Sequence, residues 1–120
     1  MTSESSWQSV VDATVQIYGG ITTLVNNAGI NQMNGVEEET LEGWHRLIAI
    51  DQTGPWLGMK AAMPHLRASG NGAIVNMSST LGMMGTVTCI AFHAAKGAVR
   101  VMSKAAAIEY ADQGVRVNSI

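Results

Sequence analysis

A chain of 120 residues, of which 47% are hydrophobic and 13% charged, is long enough for one packed domain and too apolar for a disordered protein. The formal net charge of −2 offers no basic surface, which speaks against a nucleic-acid partner. With one cysteine, no secretion signal after Met1 and no apolar run near the roughly 20 residues of a membrane span, a cytoplasmic protein without membrane partner is expected.

The first half of the chain predicts a helix, a strand and a loop. Apolar residues recur at helical spacing over residues 7–18, with Ser5 or Ser6 available as the N-cap. The β-branched run over 21–26 predicts a buried parallel strand, and the polar, glycine-bearing residues 27–38 predict a loop.

The second half continues the same alternation. Thr40 is expected to open a second helix that bends near Pro55, where the backbone donor is missing, and ends at Leu66. The remaining predicted elements are a strand over 73–77, a loop over 78–89, a helix over 90–111 and a strand over 115–120. Such alternation predicts an α/β fold, an incomplete doubly wound, Rossmann-like parallel sheet with flanking helices.

Three short motifs follow predicted strands or open a predicted helix. Asn26-Asn27-Ala28-Gly29 leaves the first strand, Ser78-Ser79 leaves the second, and Phe92 lies four residues before Lys96 at the start of the last helix. Ligands bind outside the carboxyl ends of parallel strands, so these residues suit a binding site. Taken singly, each motif also fits a plain turn, a helix cap, or a core phenylalanine with a surface lysine. No grouping of side chains predicts a metal site.

In this order and spacing the motifs resemble the short-chain dehydrogenase/reductase family. That family combines Asn-Asn-Ala-Gly, a serine after the next strand, and Tyr-x-x-x-Lys opening the following helix. The resemblance covers essentially the whole chain. It implies a nicotinamide-dependent oxidoreductase that uses NAD or NADP to transfer hydride to or from a small-molecule secondary alcohol or ketone.

The resemblance also implies roles for individual residues. Ser79 matches the serine that orients the substrate oxygen, and Lys96 matches the lysine that binds the nicotinamide ribose and lowers the tyrosine pKa. The segment formed by Asn27, Ala28 and Gly29 matches the one beside the adenosine half of the cofactor. Asn26 matches a residue that braces the central sheet.

Two positions depart from the family's pattern. Phe92 falls on the tyrosine that acts as general acid or base, and without a hydroxyl it cannot transfer a proton, so impaired turnover is expected. His93 is no substitute, because one step along a helix rotates the side chain by roughly 100°, and an exposed histidine is expected there. Asp51 stands where the family usually has an asparagine that holds a water, and its charge is able to pair with Lys96.

The domain is expected to be partial. Residues 1–120 contain no glycine-rich turn that opens a helix, the feature that cradles the cofactor's pyrophosphate in the family, and the family's substrate-covering loop region is also absent. We therefore expect a single partial Rossmann-like domain over residues 1–120, and the sequence does not predict cofactor binding by these residues alone.

A second hypothesis, of a different class, is a non-catalytic oligomerisation or interaction subunit. The predicted helices over 40–66 and 90–111 match those through which the family forms dimers and tetramers, so a homo-oligomer is expected. Phe92 favours this interpretation. A third hypothesis, a flavodoxin-like nucleotide-binding protein, requires a phosphate-binding loop that the sequence lacks.

Overall fold

The computed structural model describes every residue from Met1 to Ile120 and contains helices and strands in the predicted alternation. The elements in chain order are α1 (Glu4–Tyr18), β1 (Thr23–Asn26), α2 (Leu41–Ile48), α3 (Gly54–Ala68), β2 (Gly72–Asn76), α4 (Ile90–Glu109) and β3 (Val115–Ser119). A π-helical segment, Ala49–Thr53, joins α2 to α3, and short 3-10 turns occupy Thr80–Gly82 and Ala111–Gln113. The α/β prediction is confirmed.

The three strands form one parallel sheet in the order β1-β2-β3. Asn26 at the end of β1 pairs with Asn76 at the end of β2, and Asn76 pairs with Ser119 of β3. The register therefore brings the carboxyl ends of all three strands to the same edge of the sheet. This arrangement is consistent with part of a Rossmann-like fold.

The core lies between one face of the sheet and the helices. Its nine buried residues come from α1, α3, α4, β2 and β3: Val11, Met59, Ala62, Met63, Leu66, Ile74, Ala106, Val115 and Val117. Burying a side chain of the size of Leu66 or Ile74 contributes roughly 1.5–3 kcal/mol. Hydrophobic burial on this single face thus holds the helices against the sheet.

The prediction that β1 is a buried strand is wrong. Val25 is 55% exposed, and Thr23 on the same face is exposed as well. Strand side chains alternate between faces, and only the face that carries Leu24 and Ile74 is covered by helices. The β-branched run was therefore a correct sign of a strand but not of burial on both sides.

Capping residues set the bounds of the first two helices. Thr40 caps α2 as predicted, because its Oγ1 accepts a hydrogen bond of 3.0 Å from the backbone N–H of Gly43. The N-cap of α1 is Ser3 rather than Ser5 or Ser6, since the backbone N–H of Ser6 donates to Ser3 Oγ at 3.3 Å. An extended backbone at Ser3 makes this possible.

The segment around Pro55 does not interrupt the helix in the predicted way. Pro55 lies in the first turn of α3, where a missing backbone donor costs little. The irregularity falls just before it, in the π-helical segment Ala49–Thr53. Such segments often occur at functional sites, and this one carries Asp51. None of the helices has the length and hydropathy that crossing a bilayer requires.

Candidate active site

A chain of hydrogen-bonded amides and hydroxyls ties the ends of β1 and β2 to α3 and α4. Asn26 Nδ2 donates to Asn76 Oδ1 at 2.8 Å and to the Pro55 carbonyl at 3.2 Å. Asn76 Nδ2 donates to Ser103 Oγ at 2.9 Å, and Ser103 Oγ donates to the Val99 carbonyl at 2.7 Å. All three side chains are buried, so their amide and hydroxyl donors depend on these partners. The network fixes the sheet edge on which the site is built.

Lys96 is buried at this edge, and its ammonium meets neighbours from three segments. Only 6% of the residue is exposed. Its Nζ donates to the Met77 carbonyl at 2.9 Å and lies 3.1 Å from Asp51 Oδ2. The ring centroid of Phe92, one turn earlier on α4, lies 5.3 Å from the same atom. The structure thus brings together Asp51, Phe92 and Lys96.

Asp51 is fully buried and joins Lys96 to the loop that follows β1. Its Oδ1 accepts a hydrogen bond of 2.8 Å from the backbone N–H of Ile30. Its Oδ2 forms the ion pair with Lys96, in a geometry that falls short of a hydrogen bond. A Cβ at Gly29 would lie 2.7 Å from Oδ2. Only glycine therefore allows the loop to approach the carboxylate so closely.

The segment Asn27-Ala28-Gly29 is exposed at the carboxyl end of β1. It starts beside the buried Asn26 and ends where Ile30 is tied to Asp51. The segment between these two anchors is exposed at the edge of the sheet where ligands of open α/β folds bind.

Ser79 lies at this end of β2 but is not in contact with the ion pair. Its Oγ accepts a hydrogen bond of 3.1 Å from the backbone N–H of Leu81 and makes none with Phe92 or Lys96. The side chain lines a cavity of about 430 Å³ together with Arg100 and Lys104. Ser78 lines the same cavity, whereas Asp51 and Lys96 do not.

Ser78 belongs to a motif that the sequence singled out, but the resemblance gave a role only to Ser79. Its Oγ donates to the Lys96 carbonyl at 2.9 Å, which ties the β2 exit to α4. Gly82, in the following 3-10 turn, packs so closely on Lys96 that a Cβ would lie 2.8 Å from its carbonyl carbon and oxygen. The pairing of two serines was visible in the sequence, but which hydroxyl meets α4 was not.

Phe92 is half-buried among apolar side chains. It packs against the small cluster formed by Leu47, Ala91 and Ala95, which Trp44 and Ile30 also contact. The ring thus fills the space between α2, α4 and the loop after β1.

His93 corrects a prediction, because it is half-buried rather than exposed. Its Nε2 accepts from the backbone N–H of Thr86 at 3.1 Å, which leaves Nδ1 to donate to the Cys89 carbonyl at 2.8 Å. Thr88 and Cys89 have positive φ values of 63° and 60°, which are uncommon for such residues. His93 therefore holds a tightly turned loop against the start of α4, and its ring is committed to that task.

Comparison with known proteins identifies the family of this chain. Residues 1–120 match the family described as short chain dehydrogenase. Over its whole length the chain is 51% identical to a 2,5-dichloro-2,5-cyclohexadiene-1,4-diol dehydrogenase of Sphingobium indicum, and the match covers 48% of that protein. Over its whole length it is also 40% identical to a 3-alpha-(or 20-beta)-hydroxysteroid dehydrogenase of Mycobacterium tuberculosis, with 46% of that protein covered. A third relative, an NADP-dependent (R)-specific alcohol dehydrogenase of Lentilactobacillus kefiri, is 42% identical; the match covers 98% of this chain and 48% of that protein. It thus spans about half the length of these relatives.

Proposed function

Because this chain belongs to the short-chain dehydrogenase family, we propose that it forms the catalytic helix and sheet edge of a nicotinamide-dependent oxidoreductase. The observation that carries the proposal is the meeting of Lys96, Phe92 and Asp51 beside the loop after β1, at the carboxyl edge of a parallel sheet. The substrate class is a cyclic secondary alcohol or the matching ketone, since relatives are named for a cyclic diol and a hydroxysteroid.

The residues present fit the nicotinamide side of an NAD or NADP molecule. An ammonium has three N–H donors, and those of Lys96 have two partners, the Met77 carbonyl and Asp51, so one donor is left for a ribose hydroxyl. The exposed backbone of 27–29 supports binding beside the adenosine half. The glycine-rich turn that would hold the pyrophosphate is not among residues 1–120. Binding of either cofactor therefore needs more than these residues supply.

When bound, the cofactor supplies or accepts the hydride, and the residues of this chain hold the reactants and the proton. Lys96 orients the ribose through its free donor. Ser79, thirteen residues before Phe92, orients the substrate oxygen, as its match to the family's serine implies. Asn26 braces the strand ends through Asn76 and the Pro55 carbonyl, so that these side chains keep their positions during the reaction.

Phe92 stands where the residue that transfers the proton is expected. It keeps the ring and its packing but has no hydroxyl, and loss of a general acid or base typically lowers the rate about 10²–10⁴-fold. We therefore propose that turnover by this chain is weak, whichever cofactor is used.

The proposal is tested in a chimera in which residues 1–120 replace the matching half of the Sphingobium diol dehydrogenase. The parent chimera is expected to oxidise the cyclic diol weakly, and Phe92→Tyr is expected to raise kcat by about 10²-fold or more. Phe92→Leu is the matched control, because it adds no hydroxyl. A Phe92→Tyr chimera that folds and remains as inactive as Phe92→Leu would contradict the proposed function.

The alternative function, a non-catalytic oligomerisation subunit, is favoured by apolar residues that α3 and α4 leave exposed. Trp56 is 47%, Val101 65% and Ile108 80% exposed. Such residues on two neighbouring helices suit a contact with a second copy of the chain. Analytical ultracentrifugation is expected to show a homo-oligomer that Val101→Glu dissociates, and a monomeric parent chain would contradict this function.

Fractionation of the source cells would test the cytoplasmic location that we expect.

A further inference from the structure

We propose that Asp51 is a positioning residue that neutralises Lys96, so that in this chain the lysine acts as a structural cation and not as an activator of the group at position 92. The inference rests on the proposed function only in taking position 92 as the place of the proton donor. It concerns how two departures from the family's pattern, Phe92 and Asp51, act on a single ammonium.

The geometry commits the charge of Lys96 to Asp51. The two charged atoms are 3.1 Å apart, and both residues are almost completely buried, so water screens their attraction very little. The carboxylate is fixed from its other side by the Ile30 N–H at 2.8 Å. It cannot swing away from Lys96 without giving up that hydrogen bond and the close packing on Gly29.

The cluster on which Phe92 packs is apolar and supplies no counter-charge to Lys96. The ring packs on Leu47, Ala91 and Ala95, and the same cluster is contacted by Trp44 from α2 and by Ile30 from the loop after β1. His93 is turned to Thr86 and Cys89. Phe92 offers the ammonium only the face of its ring, whose centroid is 5.3 Å from Nζ. A ring face is a weak partner for a buried cation. Asp51 supplies the counter-charge that the ring does not.

This arrangement has a consequence for a phenol at position 92. A lone cation next to a phenol stabilises the phenolate and lowers its pKa, whereas a cation already paired with a carboxylate has little net effect. An asparagine at position 51 could still accept the Ile30 hydrogen bond but would leave the charge of Lys96 free. Phe92→Tyr alone should therefore give a phenol whose pKa Lys96 lowers only slightly, and adding Asp51→Asn should lower it further.

The test measures the phenol directly, without cofactor or substrate. The 120-residue chain carrying Phe92→Tyr is labelled with ¹³C at the tyrosine ring, and NMR follows the Cζ resonance against pH. Signals of Tyr18 and Tyr110 are assigned in the parent chain, in which burial and Glu109 raise the pKa of Tyr110. Adding Asp51→Asn is expected to lower the pKa of the introduced phenol by about one unit or more. Should Asp51→Asn not fold, Asp51→Ser takes its place.

A matched control removes the same charge elsewhere. Glu37→Gln, on the exposed loop before α2, changes the net charge equally and is expected to leave the phenol pKa within about 0.3 of a unit, since water and salt screen it. A shift no larger with Asp51→Asn than with Glu37→Gln would overturn the inference. Failure of the proposed function looks different: the phenol pKa would fall as expected while the Phe92→Tyr chimera stayed inactive.

Discussion

Two regions of this molecule are equally well buried and are held together by different forces. Around Ile74 the helices cover one face of the sheet with apolar side chains, whose contribution grows with the area removed from water. At the carboxyl edge, Asp51 and Lys96 are buried as well but carry opposite charges that must satisfy each other. The core tolerates changes of shape that conserve volume, whereas a change at the edge that leaves one charge alone is strongly destabilising.

The largest expected effect comes from breaking the ion pair on one side. Lys96→Met leaves Asp51 buried and uncompensated, which should lower the free energy of unfolding by about 3–5 kcal/mol in urea denaturation. The double variant Lys96→Met/Asp51→Leu should recover much of this loss, because no buried charge remains. Lys60→Met is the control, since Lys60 and Glu4 form an exposed pair worth less than about 1 kcal/mol. Equal losses for Lys96→Met and Lys60→Met would contradict the contrast.

The apolar region is tested by a cavity. Leu66→Ala removes a fully buried side chain between α3 and β2, and the same denaturation experiment should show a loss of about 2–5 kcal/mol. Leu41→Ala, at an exposed position on α2, should stay within about 0.5 kcal/mol of the parent chain. If the two substitutions cost the same, helix packing on this face does not carry the stability.

A smaller effect is expected where the loop after β1 meets Asp51. Gly29→Ala places a methyl group 2.7 Å from Asp51 Oδ2, so either the carboxylate or the loop must move. Overpacking of this kind typically costs about 1–3 kcal/mol. Gly20→Ala, which meets no atom within 4 Å, should not destabilise the chain. Unchanged Ile30 amide exchange in Gly29→Ala would show that the loop does not depend on this contact.

The smallest effect separates two candidates for one helix cap. Ser3→Ala removes the acceptor for the Ser6 N–H at the start of α1 and should cost about 1 kcal/mol. Ser6→Ala keeps that acceptor and should cost less than about 0.5 kcal/mol. Stability is measured by thermal denaturation. A larger loss for Ser6→Ala than for Ser3→Ala would show that Ser6, one of the two caps predicted from the sequence, is the N-cap.

What the sequence alone could predict was local or carried by a motif. Strand β1, which ends at Asn26, was predicted from its β-branched residues, because their preference for extended backbone acts over a few positions. Its burial was predicted wrongly, because burial depends on what packs against the face that carries Val25. His93 was misjudged for the same reason, since its partner Thr86 belongs to a loop whose path no spacing rule describes.

By itself the sequence determined the alternation of helices and strands, the parallel sheet that follows from it, and the family to which the motifs point. The sequence allowed a pair between Asp51 and Lys96, but only the tertiary structure decided that Asp51 also meets Ile30, 21 residues away. Only the tertiary structure, too, placed Ser79 in a cavity that neither Asp51 nor Lys96 lines. Periodicity describes neighbours along the chain, whereas a buried charge is stabilised by groups from distant segments, and those meet only once the sheet and its helices have packed.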